Sequence, residues 1–443
     1  MLFCPSYVVR YSKIVNKTYG LNFIVSGSSH LFIGARRLIS YRLNRVAEDV
    51  PQRVAEKTRG IQSNYKKSNR RRISNIEVVI MPKRNQSSSA SSNEKKLAEP
   101  RPSASVILLS PENQVLLLHR VKSSSAFPSA HVFPGGNISN FHDGMVPGPS
   151  DPKRHEDSLT YRLGAIRETF EESGILLARE GNNNENSLNV PNSERDKARK
   201  DIYENRIRFV EWVQGVGGVV DTENLLPFTR WITPLGQPRR FTTQMYLYML
   251  PLSTSNDPAV SAARSEAMIP TPDGGVEITA ARFDDASVWL EKQRTGEIVL
   301  FPPQCFLLHL ISEFLVGPPS STLSTSELVE YYHSQREKLR NFLTTVPTTT
   351  DPKAAKHPTA QISWADKVIS PTTLGLRKSD RKSILGLDKP GPELKGSSRG
   401  GDWERVVLTK FIKGVAKEVE VRSREEVLEE ERKAERASME AKL

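Results

Sequence analysis

Cysteine is almost absent from this chain. Only Cys4 and Cys305 occur in 443 residues. That excludes a disulfide framework and a cysteine-built zinc cluster, and it fits a reducing, intracellular compartment. Long apolar runs are missing too. The best one near the start, Leu21 to Ala35, is broken by Ser26, Gly27, Ser28, Ser29 and His30. It is too short and too polar to span a bilayer, so no membrane span is expected. Acid is missing where base is plentiful: residues 1–47 carry seven Lys/Arg and no Asp or Glu. With Leu, Ile and Val interspersed, that is the composition of a mitochondrial transit peptide, unless the true start lies downstream, as at Met81.

The formal charge of +12 is unevenly held. Residues 1–100 contain 19 Lys/Arg against 6 Asp/Glu, and the other 343 residues contain 44 against 45. The body is therefore close to neutral. A general nucleic-acid surface is poorly supported, and no nucleic-acid partner is expected.

Three regions follow from the composition. Residues 1–103 form a basic leader whose end, 82–103, is rich in Ser, Lys and Pro and reads as a disordered tether. Residues 104–317 carry a mixed α/β (α+β) pattern. Two apolar segments around Pro111-Glu112-Asn113 signal a hairpin, and a helix is expected over Leu159 to Leu177. A second helix is expected over roughly Arg195 to Gln214, and strands over Thr229 to Pro234 and Arg239 to Pro251. A further strand follows Gly274-Gly275, then a short helix from Ala286 and a proline-started helix from Phe301. Residues 318–443 read as a helix, a linker, a small β appendage folding back on the body, and a charged helical tail.

The densest chemistry lies in AIRETFEESGILL, Ala165 to Leu177. Glu168, Glu171 and Glu172 stand at i, i+3 and i+4, on one face of a helix, with Leu163, Ile166 and Phe170 roughly opposite. Like charges at that spacing destabilise a helix unless something compensates them, and carboxylate oxygens are what Mg²⁺ and Mn²⁺ prefer. A lone cluster of this kind is most often a solvated acidic face. Two neighbours change that reading: Arg167 directly precedes the first glutamate, and VFPGG, Val132 to Gly136, lies upstream.

Together, Arg167, Glu168, Thr169, Phe170, Glu171, Glu172, Ser173, Gly174 and Ile175 resemble the second half of the Nudix hydrolase signature. Thr169 is the one soft departure, and Gly136 matches the signature's opening glycine. The resemblance covers about residues 104–317 and implies the Nudix fold, a mixed sheet sandwiched between helices. One departure is large. Gly136 and Arg167 are 31 positions apart, about 17 more than the family allows, and His142 stands where the first signature glutamate belongs. Glu156 or Asp157 offers a replacement, though neither keeps the family spacing to the arginine.

The resemblance implies metal-dependent pyrophosphate hydrolysis. Glu168, Glu171 and Glu172 would ligate Mg²⁺ or Mn²⁺ with help from a backbone carbonyl at Gly135–Gly136, and Arg167 would hold a signature carboxylate in place. The general base stays open between Glu277 and Glu168. Flanking segments (Val115 to Gly136, RWITPLGQPRRFTTQMYLY and LFPPQCFLL) resemble the peroxisomal acyl-CoA diphosphatase branch. CoA or acyl-CoA is the expected substrate, with Arg120, Arg239 and Arg240 as partners for its 3′-phosphate or pyrophosphate. The alternatives are the same chemistry on ADP-ribose or NADH, and a Nudix-fold binding module without catalysis. Ala441-Lys442-Leu443 resembles a receptor-read peroxisomal address, in conflict with the mitochondrial-like leader.

Overall fold

A computed structural model of the chain describes residues 98–123, 128–181, 186–252, 269–273, 277–349, 351–412 and 414–441. The leader's first 97 residues and the last two of the C-terminal tripeptide, Lys442 and Leu443, lie outside the described residues. Among the described residues no helix is long and apolar enough to cross a membrane.

The first strand, β1 (Arg101–Leu109), is buried without alternation from Ser103 onward, which is the mark of a strand covered on both faces. A tight turn at Ser110–Gln114, with Asn113 in the left-handed region (φ 61°), leads into β2 (Val115–Arg120). Two short strands follow, β3 (His131–Val132) and β4 (Gly135–Asn137), then helix α1 (Leu159–Ser173). Strand β5 (Ala178–Glu180), helices α2 (Asn192–Tyr203) and α3 (Phe209–Gly215), and β6 (Gly218–Val220) come next. Then β7 (Leu226–Ile232), β8 (Phe241–Met249) and β9 (Ile278–Asp284) lead to α4 (Ala286–Arg294), α5 (Pro302–Ser312) and α6 (Thr325–Thr344).

The main sheet runs β10 (Val368–Ile369), β7, β8, β1, β2, β3, with β4 also paired to β1 and β9 to β2. β1 and β8 are parallel along their whole length, Arg101↔Phe241 to Leu109↔Met249, whereas β7–β8, β1–β2 and β2–β9 are antiparallel. The sheet is mixed, with helices packed on it: α1 lies on β1 and β4, α6 on β7.

The chain beyond α6 is joined to this body through the main sheet. After the short helix α7 (Pro352–Lys356), strand β10 (Val368–Ile369) pairs in parallel with β7, Val368 opposite Arg230 and Ile369 opposite Trp231. A second sheet follows, β11 (Thr372–Leu376), β12 (Ser383–Leu387), β13 (Asp402–Ile412) and β14 (Val415–Ser423), closed by α8 (Arg424–Glu440). Trp364, Ile369, Leu385, Leu387, Val407, Ala416 and Val419 belong to the same apolar cluster as Val106, Leu117, Phe170 and Phe306. The two sheets share one core.

Two expectations are corrected. The stretch 82–103 does not stay irregular to its end: Arg101 opens β1, its N–H donating to the Arg240 carbonyl at 2.8 Å. The single helix expected from Arg195 to Gln214 is two, because the chain turns at Asn205 in the left-handed region (φ 57°) before restarting at Phe209.

Candidate active site

Helix α1 presents the three glutamates to the β4 turn. Its C-terminus closes on Gly174, left-handed at φ 75°, whose N–H returns to the Phe170 carbonyl at 2.8 Å. Gly135 and Gly136 are needed for close approach. A Cβ on Gly135 would lie 2.4 Å from the Ala104 carbonyl oxygen, and one on Gly136 would lie 2.5 Å from the Glu168 carboxyl carbon. Only glycine lets the turn sit between β1 and the carboxylates. The Gly135 N–H donates to Glu172 Oε2 at 2.8 Å, fixing that side chain.

Arg167 organises the other two. Buried in the helix face, it donates from Nη1 to Glu168 Oε1 and to Glu171 Oε1, each at 2.9 Å. Its Nη2 also reaches the Asn137 carbonyl at 2.9 Å. The remaining side of the guanidinium forks onto Asp143, Nε to Oδ1 at 2.9 Å and Nη2 to Oδ2 at 2.8 Å. Asp143 is fully buried in its side chain. It is the carboxylate that the sequence reading misses, one position beyond His142. A long loop follows it, so no spacing rule points to it.

The residues weighed for that place do other work. His142 accepts the Phe209 N–H on Nδ1 at 3.2 Å and so caps α3. Its pKa is lowered by burial and by Arg167. Asp157 pairs with Arg162 at 2.6 Å and takes the Tyr246 hydroxyl at 2.5 Å, while the Glu156 carbonyl accepts from Arg230. Neither carboxylate reaches Arg167.

Burial dominates the electrostatics. It pushes Glu168 up to about 7 and raises Glu171, and it holds Glu172 well above the carboxylate range, with repulsion from Glu168 adding to the last. One guanidinium does not neutralise this set. Arg120 adds a second, Nη1 lying 3.4 Å from Glu172 Oε1 and Nη2 2.9 Å from Glu277 Oε2. Glu277 is thereby joined to the cluster from the start of β9, its side chain 43% exposed.

This donor set fits a hard divalent cation: carboxylate oxygens whose negative charge is under-compensated in a buried place. With Glu168 and Glu171 turned onto Arg167, no group of three acidic, His or Cys side chains among the described residues is arranged to hold a metal ion. The carboxylates would have to turn from the arginine to ligate one.

The three basic residues expected at a substrate phosphate separate. Arg120 is engaged with Glu172 and Glu277. Arg240 is corrected outright: it is buried, paired with Glu393 at 2.5 Å, and donates to the Thr233 and Ala98 carbonyls at 2.9 and 3.0 Å. It joins the start of β1 to the C-terminal sheet and is sealed from substrate. Arg239, next to it, is exposed and lines a cavity of about 1480 Å³. Gly135, Gly136, Glu168, Glu172, Arg120 and Glu277 line the same cavity.

Residues 149–310 match the family model described as the NUDT19 Nudix domain. That span includes α1 and Glu277 but not the Gly135–Gly136 turn, Arg120 or Asp143. The chain is 28% identical to the acyl-coenzyme A diphosphatase NUDT19 of Gallus gallus over 249 residues, 45% of this chain and 61% of that protein. It is also 28% identical to the Xenopus laevis protein of the same name over 243 residues, 45% and 60% of the two chains. It thus spans about three-fifths of the length of the curated relatives it matches. A NUDIX hydrolase structure from Alicyclobacillus acidocaldarius aligns at TM-score 0.37 and 23% identity, over 47% of this chain and 90% of that one. By the signature helix and the family match, residues 149–310 are similar to the Nudix hydrolases of the NUDT19 branch.

Proposed function

We propose that the chain hydrolyses the pyrophosphate bond of CoA or acyl-CoA, giving 3′,5′-ADP and (acyl-)4′-phosphopantetheine. The observation that carries this reading is the trio Glu168, Glu171 and Glu172, raised together by desolvation, of which Glu168 and Glu172 open with Glu277 on one large cavity. The names of the relatives, acyl-coenzyme A diphosphatases, support the substrate class.

Mg²⁺ or Mn²⁺ is the proposed cofactor, with Glu168, Glu171 and Glu172 as its ligands. When bound, such an ion neutralises the pyrophosphate and acts as a Lewis acid on it. The protein's own groups do the rest. Arg167, anchored by Asp143, positions Glu168 and Glu171. The Gly135 amide positions Glu172. Arg120 holds Glu277 at the cavity wall, where its carboxylate is the proposed acceptor of the attacking water's proton.

The full chain should be assayed with Mg²⁺ or Mn²⁺ against CoA, an acyl-CoA, dephospho-CoA, ADP-ribose and NADH. Release of 3′,5′-ADP, lost in Glu171→Gln, is the expected result. Turnover of ADP-ribose or NADH alone would discard the CoA assignment. Glu277→Gln should lower kcat by roughly 10²–10⁴-fold and leave Mn²⁺ binding by calorimetry unchanged. Unaltered kcat in that variant would remove Glu277 as the base.

A further inference from the structure

The cavity changes character along its wall. Its carboxylates come from α1 and the start of β9, whereas the segment after β12 lines it with Lys389, Lys395 and Arg399. Little acid opposes those three. Glu393, in the same segment, is drawn inward onto Arg240 at 2.5 Å. Asp388 is buried and accepts from Arg424 Nη2 on Oδ1 at 2.5 Å, leaving Oδ2 at 3.6 Å from Lys389. Arg399 is held by the Asp366 carbonyl at 3.1 and 3.3 Å, a neutral acceptor that fixes the guanidinium without cancelling its charge.

The cavity therefore has an acidic part that calls for a cation and a basic part that calls for an anion. Its 1480 Å³ exceeds the roughly 300–1,000 Å³ that suits a drug-sized ligand, so a ligand with two separate anionic ends has room. A phosphate monoester is repelled by the carboxylates and attracted by the lysines, which sets the direction in which such a ligand enters.

We propose that Lys389, Lys395 and Arg399 form an anion subsite on the C-terminal part of the chain, binding a phosphate monoester that the substrate carries apart from its pyrophosphate. This deepens the reading of CoA as substrate, whose 3′-phosphate is such a group, and rests on it. The C-terminal sheet then becomes the second wall of the active site.

The test is calorimetric titration of the full chain with two probes, 3′,5′-ADP and 5′-AMP, which differ by that monoester. The wild type should bind 3′,5′-ADP roughly 10–100-fold more tightly, the range for charge-assisted contacts. A Lys389→Ala/Lys395→Ala/Arg399→Ala variant should lose the preference, and Lys389→Arg/Lys395→Arg should keep it, showing that charge and not folding is responsible. Equal affinities in the wild type, or an undiminished preference in the triple alanine variant, would overturn the subsite. A chain that prefers 3′,5′-ADP and yet leaves CoA uncut overturns the substrate reading while supporting the subsite.

Discussion

Asp143 carries more than its single position suggests. Among the described residues it is the only counter-charge to Arg167 that is not itself one of the signature glutamates. Asp143→Ala strands half of a buried guanidinium, and losing one partner of a buried pair costs about 3–5 kcal/mol. Urea unfolding of that variant should show a loss of this size. The milder Asp143→Asn should weaken Mn²⁺ binding by about 10–100-fold, as expected when a ligand's supporting group is altered. The two glycines of the β4 turn should part company. In Gly136→Ala the new methyl meets the Glu168 carboxyl, so turnover should fall while the melting temperature stays near that of the wild type. In Gly135→Ala the methyl meets backbone at a positive φ of 154°, and about 1–3 kcal/mol of stability should be lost. Thermal melts and kcat measured on both variants separate the two effects.

At the scale of elements, α1 is the most legible part of the molecule. Its carboxylates recur at helical spacing, its Phe170 packs on Phe209 and Trp212 of α3, and Gly174 marks its end. Strands β7 and β8 were equally legible from their β-branched and aromatic residues. What stayed hidden depended on partners distant in sequence. Arg240 reads from sequence as a partner for a substrate phosphate because Glu393, which pairs with it, comes far later in the chain. Asp143 was hidden by the inserted loop, which removes the spacing that would point to it. The two-residue β10 has no periodicity to detect. The break between α2 and α3 rests on Asn205 and on His142, whose ring caps the restarted helix. His142→Ala should therefore cost about 0.5–2 kcal/mol, the range for a lost N-terminal cap, in equilibrium unfolding.

For the whole molecule, one apolar cluster links both sheets, so the C-terminal part is structural as well as a cavity wall. A chain ending at Thr344 should lose cooperative unfolding by calorimetry, since Trp231, Phe228 and Phe306 would be left without the packing of Trp364 and Ile369. Acid should loosen the same body. Burial lowers both His131 and His155 to about 4, from the 6.5 of an unfolded histidine. Below pH 6.5 the unfolded chain takes up protons that the folded one refuses until about 4. Stability should thus fall as pH drops through that window and be flat above it as far as these two groups are concerned; denaturation midpoints across the range check this, and His155→Gln should make the slope shallower. The parallel pairing of β10 on β7 also has a consequence for synthesis. Residue 368 leaves the ribosome about 140 residues after residue 230, roughly 7–28 s later at about 5–20 residues per second. For that interval β7 presents an unpaired edge with Arg230 and Trp231 on it, a template for wrong partners that the cell must shield until translation brings the right one.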